Sequence, residues 1–226
     1  MTDRHARYAA ATGILFVVLI IVAFLVQPKP PSSDASPAEV LSYVNAHHSA
    51  LHVIQLIFGA AMFLFLWFVG ALRSLLGAAE GGTERLATIG FGGGLAAIAT
   101  LFVSLALGAT ADLHPATNGA DLTRALTDAA AMVLAVGAPA AAVFFVANSL
   151  SILRTGYLPA WLGWLGFATA FFSALGIGPV FTDHGAFAAD GALGFLIGFV
   201  LFLAWVLAAS ITLMGRLGAD RATATT

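Results

Sequence analysis

Cysteine is absent from the 226 residues. Disulfides, thiol catalysis and iron–sulfur clusters are therefore excluded, the redox compartment is unconstrained, and any metal would have to be held by His, Asp or Glu. Charge is nearly as scarce. Lys and Arg number 9 and Asp and Glu 11, so 9% of the chain is charged, against about a quarter in a soluble domain. No water-soluble surface can be built from so few ions. The formal net charge is −2 and there is no basic run, so the electrostatic footprint of a nucleic-acid binder is missing and no nucleic-acid partner is expected. Also missing are a phosphate-binding glycine loop, a serine elbow of the G-x-S-x-G type, an HExxH-type zinc motif and a mid-membrane pair of His residues for haem. No catalytic motif is identifiable, and the chain reads as non-enzymatic.

What the chain does have is apolar length: 60% of it is hydrophobic and its mean hydropathy is +0.97. Crossing roughly 30 Å of hydrocarbon at about 1.5 Å per residue takes roughly 20 apolar residues in a helix. The charge-free intervals run from Tyr8 to Pro28, Val53 to Leu72, Leu86 to Ala111, Ala129 to Leu153, Thr155 to Thr182 and Gly191 to Gly215. Each is long enough for one crossing and none for two. The expectation is an all-α polytopic membrane protein. Residues 1–226 form one domain, a six-transmembrane-helix bundle with spans near 9–26, 50–72, 86–110, 127–153, 159–180 and 191–214. Membrane lipids are its expected surroundings. Arg4 and Arg7 precede the first span as they would a signal peptide. Its apolar core, Ala9 to Val26, nevertheless exceeds the roughly 7–15 residues of a signal sequence, and no Ala-x-Ala site closes it before Gln27-Pro28-Lys29. An uncleaved anchor is expected.

Orientation follows from Lys and Arg, which are retained on the cytoplasmic side of short loops. In a six-span alternation Arg4, Arg7, Arg73, Arg85, Arg154, Arg216 and Arg221 share one side, and only Lys29 and Arg124 take the other. Both termini are expected in the cytoplasm. Tyr8, Trp67, Tyr157, Trp161 and Trp164 fall near the same ends, at the headgroup level that such rings favour.

Pro28 to Pro37, rich in Pro and Ser, reads as an extended linker. Ser36-Pro37-Ala38-Glu39 then has the chemistry of a helix start: a Ser cap, Pro at the first position, and Glu reaching back to the free N–H groups. A short interfacial helix over about 37–48 is expected, with Val40, Leu41 and Val44 on one face. Within the spans, Gly90 and Gly94, and Gly194 and Gly198, are each four apart. They are expected helix-packing positions, where small residues let backbones approach. Pro139 removes a backbone donor from span four beside Gly137, so a kink is expected there; it reads as a packing adjustment or as a hinge. Gly176-Ile177-Gly178-Pro179 should end span five. Gln55, Asn148 and Ser149 are the polar residues nearest membrane depth, expected to bond between helices or to backbone.

The expected outer side gathers His47, His48, His52, His114 and His184 with Asp34, Glu39, Asp112, Asp121, Asp128, Asp183 and Asp190. His48 and His52 are four apart, the spacing at which two imidazoles on one helix face can hold a metal ion. The candidate metal set is His48, His52, His114, Asp128 and His184, and the cofactor it suggests is a divalent transition metal. The alternative reading is an ordinary wet interface, with carboxylates favouring a helix N-terminus and Asp128 pairing with Arg124 one turn away.

Tyr43-Val44-Asn45-Ala46-His47-His48, Leu64-Phe65-Leu66-Trp67-Phe68-Val69-Gly70-Ala71-Leu72-Arg73, Leu158-Pro159-Ala160-Trp161-Leu162-Gly163-Trp164-Leu165-Gly166 and Trp205-Val206-Leu207-Ala208-Ala209-Ser210 together resemble an uncharacterised family of bacterial six-helix integral membrane proteins, a domain of unknown function. The resemblance implies a bacterial cytoplasmic (inner) membrane and carries no activity. Two functional expectations remain. One is a non-enzymatic bundle that binds or moves a hydrophobic or small neutral molecule, or serves as a partner subunit or homo-oligomer. The other is a metal-dependent enzyme or sensor with a His/Asp site at the extracytoplasmic face.

Overall fold

The computed structural model describes residues 3–182 and 184–224, with side chains between 10 and 216 other than those of 116 and 183. Asp183 and the side chains of Arg4, Arg7, Tyr8 and Arg221 therefore lie outside the described parts. The fold is all-α. Six α-helices follow in order: α1 Asp3–Val26, α2 Pro37–Glu80, α3 Arg85–Leu113, α4 Pro115–Thr155, α5 Ala160–Leu175 and α6 Ile197–Ala224. Five segments are helical, long and apolar enough to cross a membrane: Pro37–Glu80, Arg85–Leu113, Thr117–Thr155, Ala160–Val180 and Gly185–Arg216. The chain is thus a multi-pass membrane protein. The described apolar part of α1, Ala10–Val26, is shorter.

Each helix packs on the next in sequence, α1 closes the ring against α6, and α2 reaches across it to α4. The connections from α2 to α5 are four residues or fewer, so these neighbours run antiparallel and the bundle has two distinct ends. One carries Arg73, Arg85, Arg154 and Arg216; the other carries the His residues from 47 to 184. The centre is filled by aromatic rings from four helices. Phe16, Phe65, Phe68, Phe144, Phe145 and Trp205 are each at most 1% exposed. Phe16 stacks on Phe65 with centroids 4.7 Å apart, and Phe145 meets Trp205 edge-on at 5.2 Å. Surrounding lipid is as apolar as these side chains, so what holds the helices is contact density rather than expulsion from water. Trp205 Nε1 donates to the Leu162 carbonyl at 3.0 Å, satisfying the indole inside the core.

The glycines at helical spacing lie at these contacts. A Cβ at Gly90 would stand 2.9 Å from Asn148 Nδ2, and one at Gly94 2.9 Å from Val69 Cγ1. Gly93 brings the backbones of α3 and α4 together, since a Cβ there would meet the Phe144 nitrogen at 2.7 Å. Gly198 faces the Phe172 carbonyl of α5 at 3.0 Å, and Gly194 sits against the carbonyls of Phe187 and Ala188. Pro139 lies inside α4, and Gly137 beside it abuts Thr100 of α3.

Two helices are too long for the hydrocarbon layer. At about 1.5 Å per residue, the 44 residues of α2 and the 41 of α4 extend roughly 66 and 62 Å, against roughly 30 Å of core. Both break at the His-bearing end. In α2 the expected short helix after the linker is present, capped by Ser36 with the reciprocal Glu39 bond, but no loop separates it from the crossing. The chain departs from helical dihedrals only at His47, with φ −120° and ψ 15°, and then continues. In α4 the break is Gly119, with φ 72° and ψ 171°, a conformation that only glycine adopts without strain. Span five ends as its Gly-Pro sequence suggests: α5 stops at Leu175, and 3₁₀ turns Gly178–Val180 and Gly185–Phe187 lead to a π-helical turn, Ala192–Leu196, that feeds α6. The broken helix starts, the linker and these turns form a layer over one end of the bundle.

Candidate functional site

At the break, the His47 ring turns back onto the helix. The ring Nδ1 lies 2.9 Å from the Tyr43 carbonyl, four residues back, which is the acceptor a regular helix would give to the His47 backbone N–H. The carbonyl can only accept, so Nδ1 carries the proton in this bond. Past the break, His48, His52 and Gln55 follow at helical spacing along one face of α2. The rings of His48 and His52 are 4.2 Å apart, edge to face. Gln55 Nε2 donates at 2.6 Å to Asp112 Oδ2, in the last turn of α3. Asp112 is 9% exposed, and both imidazoles lie within electrostatic reach of its carboxyl. Nε2 of His52 is buried without a hydrogen-bond partner. The result is a polar contact between α2 and α3 within an apolar bundle.

The other expected ligands lie elsewhere. His114 is exposed at the junction of α3 and α4, where its carbonyl accepts from the N–H groups of Thr117 and Asn118. Asp128 is exposed and engaged by Arg124 Nε at 2.7 Å, the ion pair expected from their spacing. His184 is exposed in the turn after span five, its N–H donating to Thr182 Oγ1. Among the described residues no group of three or more His, Asp or Glu side chains is arranged to hold a metal ion. His48 and His52 come together; His114, Asp128 and His184 are not brought to them. Gln55 was expected to bond between helices or to backbone; its partner, Asp112 of α3, was not identified from the sequence.

The linker is tied down. Arg124 donates through Nη2 to the Ser33 carbonyl at 2.6 Å and through Nη1 to the Ala35 carbonyl. Tyr43 Oη donates to Pro28 O at 3.0 Å. Ser33 Oγ donates to Asp190 Oδ1 at 3.1 Å and its N–H to Oδ2 at 3.4 Å. At the start of α2, ahead of the crossing, the Ser36 N–H and hydroxyl donate to Glu39 Oε2 at 2.7 and 2.8 Å. These bonds, the backbone one first, hold the Glu39 carboxyl below the usual carboxylate range.

Beside this layer, at the end of α5, is a shallow, largely open apolar cavity of about 300 Å³ lined by Ala174, Leu175, Ile177, Gly178, Phe181, Thr182 and Phe187. A Cβ at Gly178 would stand 3.0 Å from the Phe187 side chain, so glycine lets that ring form one wall. Phe181 is 81% exposed at the mouth. The volume is at the lower limit of ligand pockets, roughly 300–1,000 Å³, and the lining offers a hydrocarbon chain dispersion contacts with a single hydroxyl nearby. No family model, curated protein or solved structure matches this chain.

Proposed function

We propose that the chain is a non-enzymatic six-crossing bundle that binds a hydrophobic molecule at its His-bearing end. In this reading α1 is the sixth crossing, both termini face the cytoplasm and the membrane is a bacterial inner membrane. The orientation rests on the seven-against-two distribution of basic residues. The role of α1 rests on its apolar run and its packing between α2 and α6.

The observation that carries the binding reading is the 300 Å³ apolar cavity at the end of α5. What favours binding over passage is the bundle centre, where the rings of Phe65, Phe144, Phe145 and Trp205 close on one another. A molecule taken from the lipid reaches the cavity without crossing that core.

The test is photolabelling in lipid vesicles with a diazirine-bearing palmitate. The expected result is saturable labelling of the segment 174–187, suppressed by excess palmitate and by Ala174→Trp, which fills the cavity. The exposed stripe around Leu56 and Phe63 on α2 should label without saturation. Labelling of 174–187 that neither saturates nor responds to Ala174→Trp refutes the reading.

A further inference from the structure

The charges at the Arg-bearing end do not balance. The described side chains there include two carboxylates, Glu80 and Glu84, and both are engaged. Glu80 accepts from the N–H groups of Leu86 and Ala87 and from Ser151, and Glu84 pairs with Arg73. Arg154 and Arg216 are left without an ion-pair partner among the described residues.

These two cations flank one turn. Arg154 stands exposed in the last turn of α4, where a positive charge suits the negative end of the helix. The Ile152 carbonyl beside it is taken by the Gly156 N–H at 2.9 Å, and the Arg154 side chain has no hydrogen-bond partner among the described residues. Arg216, exposed near the end of α6, is fixed in place. Its guanidinium lies over the Tyr157 ring, 4.3 Å from the centroid, and Nη1 donates to the Tyr157 carbonyl. Tyr157 belongs to the connection between α4 and α5, three residues after Arg154.

The start of α5 adds two indoles. The last turn of α4 packs on it, since a Cβ at Gly163 would stand 2.7 Å from Leu153 Cγ. Trp161 and Trp164, on either side of Gly163 in sequence, are 52% and 66% exposed. The Trp205 N–H is satisfied by the Leu162 carbonyl, whereas neither of these indole N–H groups has an acceptor among the described residues. Exposed indoles mark the headgroup level of a bilayer, so the guanidinium groups stand at the depth of lipid phosphates. Guanidinium bonds to phosphate are charge-assisted and strong. Both carboxylates are committed, so an ammonium would find no counter-ion here, which favours a headgroup of net negative charge over a zwitterionic one.

We propose that the α4–α5 turn is a binding site for an anionic phospholipid of the adjoining leaflet, with Arg154 and Arg216 on the phosphate and Trp161 and Trp164 against the glycerol backbone and upper acyl chains. The site is separate from the apolar cavity, which lies at the opposite end of the bundle.

The test is tryptophan quenching in phosphatidylcholine vesicles that carry a minor share of phosphatidylglycerol brominated near the top of its chains, against brominated phosphatidylcholine at the same share. Trp67→Phe serves as the parent, because Trp67 is exposed elsewhere and Trp205 is buried. Brominated phosphatidylglycerol should reach half-quenching at a mole fraction about fivefold lower or more, roughly the preference given by one basic residue near the surface. Arg154→Gln and Arg216→Gln should each remove most of that preference. Arg154→Lys, which keeps the charge, and Lys29→Gln, which removes an exposed cation at the opposite end, should retain it. Should Arg216→Gln fail to fold, Arg154→Gln decides, since the Arg154 side chain holds no other described residue. Equal quenching by the two lipids, or a preference that survives Arg154→Gln, overturns the site. Displacement of the brominated lipid by inorganic phosphate at constant ionic strength makes the ligand a soluble phosphate and overturns the assignment to lipid.

Discussion

Replacing Glu80 with Ala should be among the most damaging single changes at the Arg-bearing end, although Glu80 is neither fully buried nor part of the aromatic core. The first N–H groups of a helix have no partner within it, and Glu84, the residue before α3, makes no side-chain capping bond. Glu80 takes over that role from the last turn of α2. Its Oε2 accepts from the Leu86 N–H at 3.0 Å, and its Oε1 accepts from the Ala87 N–H at 2.8 Å and from Ser151 Oγ of α4 at 2.7 Å. One carboxylate thus joins α2, α3 and α4. A hydrogen bond to a charged group contributes about 1.5–3 kcal/mol, and a negative charge at a helix N-terminus about 0.3–1 kcal/mol. With partial exposure weakening each of these, the three bonds together imply a loss of about 2–4 kcal/mol for Glu80→Ala.

Glu80→Gln keeps an oxygen acceptor and loses the charge, so it should cost about half as much. Ser151→Ala should couple to Glu80→Ala by about 1 kcal/mol in a double-mutant cycle, because both remove the same contact. The assay is reversible unfolding in mixed micelles titrated with sodium dodecyl sulfate, followed by tryptophan fluorescence. The account of α3 fails if Glu80→Ala lies within about 0.5 kcal/mol of the unmodified protein, the range of an ordinary surface change, or if Gln and Ala are equally costly.

Three further outcomes follow from named contacts. Gly93→Ala should destabilise by about 1–3 kcal/mol in the same titration, because its Cβ would meet the Phe144 nitrogen and the Ala140 carbonyl, backbone atoms that cannot turn aside; Gly92→Ala, with nothing within 4 Å, should be neutral or slightly stabilising. Arg124→Ala should release the linker, read as an increase of about fivefold or more in proteinase K cleavage within 28–36, since proteolysis tracks the population of the locally opened state. The cap of α2 should respond to pH. The Glu39 carboxyl is held below its ordinary value when folded, so its contribution is present above the unfolded value, about 4.3, and is lost as pH falls through the folded one. The protection of the first-turn amides of α2, taken relative to their intrinsic exchange rate at each pH, should fall across that acid window, and Glu39→Gln should abolish that fall.

Much of the architecture was legible because it depends on quantities that a sequence carries directly. The lengths of the charge-free intervals give the apolar helices, Ser36 and Glu39 give the start of α2, Gly176 to Pro179 give the end of α5, and the four-residue spacing of Arg124 and Asp128 gives their ion pair. Each of these is local, set within one or two turns. The continuity of α2 through His47 was less accessible. The end of a short helix near residue 48 was expected, but not that the chain would pass His47 into the crossing without a loop. The break at Gly119 could be read only in retrospect, from a glycine four residues after Pro115. At the candidate site, the pairing of His48 with His52 is a property of one helix and was visible, whereas Gln55 with Asp112, Ser33 with Asp190 and Phe187 with Gly178 join segments 57, 157 and 9 positions apart. Such contacts are decided by how the helices pack, on which hydropathy says nothing.

The two ends of the bundle are built on different terms. At the Arg-bearing end the loops are short and the polar side chains close on helix termini: Glu80 on α3, Arg73 on Glu84 at 2.9 Å, and Arg216 on the Tyr157 carbonyl and over its ring. These contacts fix the helices and leave little to rearrange. At the His-bearing end the helices outrun the hydrocarbon, α2 and α4 break at His47 and Gly119, and a linker, two 3₁₀ turns and a π-helical turn lie at the same end. Irregular backbone at the edge of a membrane is tolerated where protein or water satisfies its polar groups, and Arg124, Tyr43 and Asp190 do so here. A buried carboxylate, an unpartnered imidazole nitrogen and an apolar cavity all fall at this end of the bundle. The aromatic centre is committed to holding the bundle together, so under the proposed binding function exchange with a ligand takes place at the His-bearing end, where linker and turns are held by bonds between segments far apart in the chain.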